Sequence, residues 1–282
     1  MGQAVGELLM RGGVTVAVTL AGRSERTRAL AHTSGFAEAP SVAALVHDCE
    51  LVLSVVPPAQ ALAVANDVAA AIESGRRTVF VDCNAISPRR VREVAAVIGS
   101  AGVGFVDAAI IGGPPRNAPS PRFYASGPDR ARFAELRDAG LEIVTLGPAV
   151  GEASAVKMCY AALTKGTTAI ATELLVAARK LGVYDTIVAE LEGTPSLLSR
   201  TQGVASMPGK AHRWIAEMEE IARTFAEVGL TPRIFEGAAD MYRLTAESEI
   251  GGERPETVDR SRGLAGTVDV LSRASEQIGS SR

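Results

Sequence analysis

Short β-branched apolar runs alternate with amphipathic stretches through the first half of the chain. Val14–Leu20, Leu51–Val56, Thr78–Asp82, Gly104–Ile110 and Glu142–Leu146 are Val/Ile-rich, are bounded by glycine, proline or charge, and are predicted as strands. Helical patterns lie between them: the polar-faced Ser24–Thr33, the alanine-rich Ala59–Ile72, and Pro88–Ile98 and Pro128–Ala139, which open on proline as helix starts do. Gln3–Arg11 reads as a helix ahead of the first strand. A relay of this kind needs a parallel sheet covered by helices, so residues 1–150 are predicted as an α/β, Rossmann-type doubly wound parallel sheet.

From Gly151 the β-branched runs stop and the helical patterns lengthen, so residues 151–282 are predicted as an all-helical domain. Glu152 to about Lys180 contains no proline and as one helix would be roughly 45 Å long at 1.5 Å per residue. In Ala211–Val228, Trp214, Ile215, Met218, Ile221, Ala222 and Phe225 recur on one face. Thr231–Pro232 signals a further helix to about Leu244, with Thr231 as its cap, and Leu264–Ser275 a last short one after a polar loop over Glu247–Arg262.

Charge and composition narrow the partners. Lys+Arg number 29 against Asp+Glu 32, dispersed along 282 residues, so no basic stripe competes for a polyphosphate backbone and nucleic acid is not expected. Apolar stretches are interrupted well short of the roughly 20 residues needed to cross a bilayer, and no signal pattern opens the chain; no membrane association and a cytoplasmic location are expected. Cys49, Cys83 and Cys159 are far apart in apolar contexts and are expected to be buried free thiols. His32, His47 and His212 lack zinc spacing and are expected at surface or cap positions, with no metal site.

A Rossmann domain opens with a strand, then G-x-G-x-x-G, then a helix whose first amides cradle a pyrophosphate. Here Gln3–Arg11 occupies the place of that helix and Gly2 that of the last fingerprint glycine. The strand and the other two glycines are expected to precede Met1. Without them, neighbouring strand edges and an apolar surface should be left uncovered.

Three segments then carry a resemblance. Pro148-Ala-Val-Gly151-Glu-Ala153-Ser-Ala-Val-Lys157 resembles the G-x-x-G-x-G-x-x-x-K segment of the β-hydroxyacid dehydrogenases, the family that includes 3-hydroxyisobutyrate and 6-phosphogluconate dehydrogenases. Phe105-Val-Asp107-Ala-Ala-Ile-Ile111-Gly112-Gly113 is similar to the family's D-A-P-V-S-G-G substrate loop. Val81-Asp82-Cys83-Asn84-Ala85-Ile86-Ser87-Pro88 resembles the segment near the nicotinamide. The C-terminal part, with HRWIAEMEEIARTF, looks like the short helical domain of a bacterial branch. The resemblance implies substrate contacts at Ile111, Gly112 and Gly113, and a homodimer. Three positions depart from the pattern: Ile111 stands for the family serine, Ala153 for the second glycine and Ala161 for the asparagine four residues after the lysine. Hydrogen bonds to substrate are thereby lost while the lysine stays, so a substrate less polar or differently oriented than the family's small hydroxyacids is expected.

Hydride transfer leaves or requires a proton, and Lys157 is the candidate to carry it. At a helix start facing a cleft, desolvation and the helix dipole both disfavour the ammonium. Tyr160, Thr164 and Thr168 fall within about a right angle of Lys157 on a helical wheel. Tyr160 or Thr164 would replace the hydrogen bonds lost at Ala161; threonines bonding back to their own helix are the alternative. Lys165 and Arg213 are reserve carboxylate binders, although Arg213 is also spaced to pair with Glu217. For the cofactor, no acid lies between Leu20 and Ser24, where NAD sites place one for the ribose hydroxyls. Arg23 and Ser24, with Arg26 and Arg28 beyond, suit a 2′-phosphate, so NADP is expected over NAD, against the mild objection of Glu25. Val56 and Pro57 resemble the family's cofactor turn. Asn84 would bond the nicotinamide ribose or the substrate, or simply form a turn. The function expected is an NADP-dependent oxidoreductase of a hydroxy/oxo substrate, a carboxylate among the candidates, with Lys157 as proton donor or acceptor. An imine (C=N) reductase on the same fold, and an NADP-binding sensor without turnover, are the alternatives.

Overall fold

The computed structural model describes residues 1–72, 78–115 and 120–279. Its first unit, Met1–Met158, opens with α1 (Gly2–Arg11) and proceeds through β1 (Ala17–Thr19), α2 (Glu25–Thr33), β2 (Ala37–Ala39), α3 (Val42–Asp48), β3 (Leu51–Ser54) and α4 (Ala61–Ala71). There follow β4 (Val79–Asp82), α5 (Pro88–Ser100), β5 (Gly104–Ile111), β6 (Arg122–Ser126), α6 (Arg130–Ala134) and β7 (Glu142–Thr145). Serines start the helices where the chain leaves a strand: Ser24, Ser41 and Ser87 accept from the backbone N–H groups of Thr27, Ala44 and Arg90.

The sheet has two apolar faces. Val5 and Leu9 of α1 and Phe133 of α6 pack on Val81, Val106, Ile110, Phe123 and Ile143. On the other face Val46, Ala65, Val68, Val91 and Ile98, from α3, α4 and α5, pack on Val52, Phe80 and Phe105. Burial on both faces is why these strands read as continuous apolar runs.

Two strands escaped the sequence reading. β2 is Ala-Glu-Ala, without β propensity, and is identified by its parallel pairing to β1. β6 runs antiparallel to β5, with Asp107 opposite Ser126, so the sheet expected to be wholly parallel is mixed. Residues 112–121 are too few for the helical crossover that a parallel pair requires. The strand order is β1-β2 in one sheet and β3-β4-β5-β6-β7 in another. Among the described residues no strand pairs with both β1 and β3, and each leaves one edge outside a ladder.

The second unit, Cys159–Arg282, is helical in its regular structure. The division falls inside α7 (Glu152–Lys180). The helices after it are α8 (Tyr184–Glu192), α9 (Pro195–Ser206), α10 (Pro208–Glu227), α11 (Arg233–Glu247) and α12 (Gly263–Gly279). α3, α8 and α9 were missed; α3 and α8, of seven and nine residues, are too short for their apolar spacing to stand out. α10 and α11 are joined by aromatic contacts, Trp214 on Tyr242 at 5.2 Å and Phe225 on Phe235 at 4.7 Å between ring centroids. At the start of α11 Pro232 holds the cap position expected for Thr231, whose hydroxyl accepts from Arg233 N at 3.4 Å.

The three thiols are free, but only Cys83 is buried; Cys49 is half-buried and Cys159 exposed, which corrects the expectation for both. Cys159 falls on the outward face of α7, where apolar neighbours in sequence do not mean burial. Among the described residues no His/Cys/Asp/Glu group could hold a metal ion, and no helix is long and apolar enough to cross a membrane.

Candidate active site

Lys157 stands in the second turn of α7, half-buried, and its Nζ donates to the carbonyl oxygen of Ile110 at 2.7 Å. Burial lowers its pKa from the ordinary lysine value to about 8. The acceptor is a neutral carbonyl, so this contact adds no carboxylate to hold the proton on. The start of the helix is fixed by side chains of the sheet. Gly151 N and Ser154 N donate to Asp107 Oδ2 at 2.9 and 3.1 Å, Ser154 Oγ donates to Asp107 Oδ1 at 2.8 Å, and Ala153 N donates to Ser126 Oγ at 3.1 Å. Amide groups that a helix start leaves unpaired are thereby satisfied. Gly151 has φ +109°, and a Cβ there would come within 3.0 Å of the Arg92 guanidinium, so the turn into α7 requires glycine.

Ile111 is the half-buried last residue of β5, opposite Arg122. Gly112 follows with φ +125°, and a Cβ there would meet the Pro121 backbone at 2.9 Å; Gly113 is exposed. Tyr160 and Thr164 belong to the second unit, both exposed. The Thr164 hydroxyl donates to Tyr160 O at 3.2 Å, Thr168 to Thr164 O at 3.2 Å and Thr172 to Thr168 O at 2.7 Å. The threonines bond back along their own helix, and the donor expected of Thr164 for substrate is spent there. Lys165 pairs with Glu217 and is not a spare cation.

On the cofactor side, Gly2 is the first residue of α1, and a Cβ on it would lie 3.6 Å from Val55, at ordinary contact distance in the turn after β3. Arg23, at the exit of β1, reaches Gln60 Oε1 at 3.5 Å. Gln60 closes the short turn that follows Val56 and the exposed Pro57, and the sequence reading missed it. Ser24 caps α2, accepting from Thr27 N at 3.3 Å, and Arg28 Nε donates to Arg23 O at 3.2 Å, so both brace the Arg23 loop. The set fits a nucleotide phosphate: a cation at the exit of β1, no carboxylate from Leu20 to Ser24, and at α1 an amino end without a side-chain cap.

Asn84 is buried. Its Nδ2 donates to Ser54 Oγ and Asp82 Oδ2, both at 3.0 Å, and its Oδ1 accepts from Val56 N at 2.7 Å. Both amide protons are used inside the fold, which is the turn-forming alternative; Asn84 reaches the turn after β3 by holding Val56. Asp82 also accepts from Asn84 N at 2.9 Å. Burial raises its pKa to about 7, and Asp107, its register partner on β5, adds to the rise. Burial raises Asp107 too, against the hydrogen bonds from Ser154, Ser126 and Gly151.

Residues 1–143 match the family model described as the NAD binding domain of 6-phosphogluconate dehydrogenase. The chain belongs to that family. Residues 178–245 match a domain of unknown function, DUF1932. A curated relative from Methanothermus fervidus, an uncharacterized 28.5 kDa protein in a 7S RNA 5′ region, is 30% identical over 238 residues, 83% of this chain and 91% of its own length. Among solved structures the conserved protein MTH1747, described as structurally similar to 3-hydroxyacid dehydrogenases, is 35% identical with TM-score 0.63, over 86% of this chain and 94% of that one. Mycobacterium tuberculosis 3-hydroxyisobutyrate dehydrogenase, with L-serine, shares the fold at TM-score 0.68 and 22% identity, covering 93% and 96% of the two chains. An imine reductase from Myxococcus stipitatus, in complex with NAD+, does so at TM-score 0.54 and 20% identity over 96% of each. This member of the 6-phosphogluconate dehydrogenase NAD-binding family thus has an NAD(P)-binding Rossmann-type domain followed by a helical region, the fold of NAD(P)-dependent hydroxyacid dehydrogenases and imine reductases.

Proposed function

We propose that this protein is an NADP-dependent oxidoreductase that interconverts a hydroxy and an oxo substrate, with Lys157 as the group that gives or takes the proton. The observation that carries the reading is Lys157 itself, half-buried beside the Ile110 carbonyl with a pKa of about 8. Bound NADPH supplies the hydride. The protein's part is to present Arg23 to the 2′-phosphate and to hold the cofactor turn through Asn84 and Val56. At pH 7 most Lys157 is protonated and suited to donate during reduction; above about pH 8 it is neutral and suited to accept during oxidation.

The test is Lys157→Met, with thermal shift by NADPH and NADH alongside. Reduction of 2-oxo and 3-oxo acids should fall by about 10²–10⁴-fold while the nucleotide shift is kept. NADPH should stabilise more than NADH, and Arg23→Ala should erase the difference. Retained turnover in Lys157→Met would defeat the reading. One observation favours C=N reduction as a second reading: β5, whose Ile110 carbonyl meets Lys157, ends on the half-buried Ile111, without a hydroxyl for a hydroxyacid. A panel of cyclic imines in the same assay separates the two.

A homodimer is part of the proposal, supported by α7 and Leu181, the residue that follows it. Tyr160, Leu163, Ile170, Leu174 and Leu181 are 51, 69, 61, 45 and 76% exposed and recur at three-, four- and seven-residue steps, the spacing of a helix-packing seam. Leu163→Glu with Ile170→Glu should convert a dimer to a monomer in sedimentation; a wild-type monomer at micromolar concentration refutes this part.

A further inference from the structure

Asp107 is a charged residue in an apolar strand, 1% exposed, and its side chain makes its contacts 19, 44 and 47 residues away. Burying a carboxylate costs several kcal/mol unless each oxygen is satisfied. Here Oδ2 takes Gly151 N, Ser154 N and Ser126 Oγ, at 2.9, 3.1 and 3.0 Å, and Oδ1 takes Ser154 Oγ at 2.8 Å. A negative charge at the amino end of α7 also opposes the positive end of the helix dipole.

The second contact of this strand with the same helix is Ile110 O with Lys157 Nζ. On β5 the two contact points, Asp107 and Ile110, are three residues apart, about 10 Å along a strand. On α7 their partners, Ser154 and Lys157, are also three residues apart, a rise of about 4.5 Å, and the flexible lysine side chain spans the difference. One fixed point and one reaching side chain set where Nζ stands. We propose that Asp107 is a positioning residue for Lys157: by holding the amides of Gly151 and Ser154 and the Ser154 hydroxyl it fixes the start of α7, and so places Nζ against the Ile110 carbonyl. Asp107 has no hydrogen bond or ion pair to Lys157 and acts through the start of α7. The inference rests on the reading of Lys157 as the proton-carrying group for its meaning, but not for its test.

The test uses the full chain without substrate. The rate at which acetic anhydride modifies Lys157, resolved by mass spectrometry against pH, gives the midpoint at which that amine loses its proton; wild type should fall near 8. In Asp107→Ala the helix start is released, Nζ gains water, and the midpoint should rise by at least about one pH unit toward the ordinary lysine value. Asp107→Asn keeps the shape and one oxygen for the Gly151 and Ser154 amides, while its amide group can donate to Ser154 Oγ. It should restore the wild-type midpoint. A role confined to stability would lower Tm in Asp107→Ala and leave the midpoint of the folded protein where it was, which overturns the inference. Should Asp107→Ala not fold, Ser126→Ala with Ser154→Ala removes two of the four bonds and should raise the midpoint by about half a unit; no rise overturns the inference equally. Turnover by Lys157→Met is scored separately, so that result can sink the proton-transfer reading while the titration still decides the role of Asp107.

Discussion

Two buried aspartates in the first unit, one ending β4 and one inside β5, use the same device at different range. At the end of β4, Asp82 takes the backbone and side-chain N–H groups of Asn84, two residues on, and Asn84 passes the constraint to Val56 on the neighbouring turn. In register beside it on β5, Asp107 takes donors from Ser126 and from the start of α7. Ser54, Asp82, Asp107 and Ser126 form one buried polar row across four adjacent strands. The local clamp shapes the turn after β3. The long-range one fixes a helix, and a charge with more donors is the one better able to stay ionised between two carboxylates side by side.

The difference predicts unequal costs. Asp107→Ala strands two buried backbone N–H groups and two hydroxyls, at about 1–3 kcal/mol for each donor left unsatisfied. Water and rotation of the hydroxyls recover part of this, so a loss of about 3–5 kcal/mol is expected from urea unfolding. Asp82→Ala strands only the two donors of Asn84 and removes a carboxyl that the fold already disfavours as an anion, so about 1–2 kcal/mol is expected. Equal losses would mean that the two clamps are energetically alike and that the helix start has other support.

A smaller effect lies in pH. A carboxyl whose folded pKa is raised binds its proton more tightly in the native state, so the stability it contributes is complete below its ordinary value near 4 and is lost as pH rises through its folded value, about 7 for Asp82. The urea midpoint of wild type should therefore fall between pH 5 and pH 8 relative to Asp82→Asn, which has no proton to lose there. Parallel curves would remove the case for a protonated Asp82.

How far these sites were legible follows from the range of their contacts. The spacing Asp82-Cys83-Asn84 is a local turn pattern, and Pro88 after Ser87 marks the helix that follows. Lys157 stood out because an apolar helix start surrounds it. Asp107 entered only as the aspartate of the segment resembling the substrate loop, and nothing in the sequence ties it to Gly151 and Ser154, because strand and helix start are brought together only by folding. The same limit hid Gln60 beside Arg23, 37 residues apart. β2 was missed because pairing, rather than propensity, makes it a strand; β6 has the β formers Phe123 and Tyr124, but only as a short run between Arg122 and Ser126. In the second unit the polar stripe of α7 was legible as a periodicity with two uses left open, and the threonines take the one that bonds back: a helical threonine finds an acceptor one turn back whatever lies outside it.

That last point carries the smallest expected effect. Thr164→Val removes an exposed hydroxyl whose proton goes to Tyr160 O, an oxygen that belongs to the helix ladder in any case. The β-branched shape is kept, so χ1 preference and packing change little, and stability should move by less than about 0.5 kcal/mol. A hydroxyl that held substrate would behave differently, since its removal would raise KM by about the ten-fold that one hydrogen bond is worth. Unchanged KM in Thr164→Val, next to a large loss in Lys157→Met, would assign the chemistry of α7 to its first two turns and leave the threonine ladder a structural role.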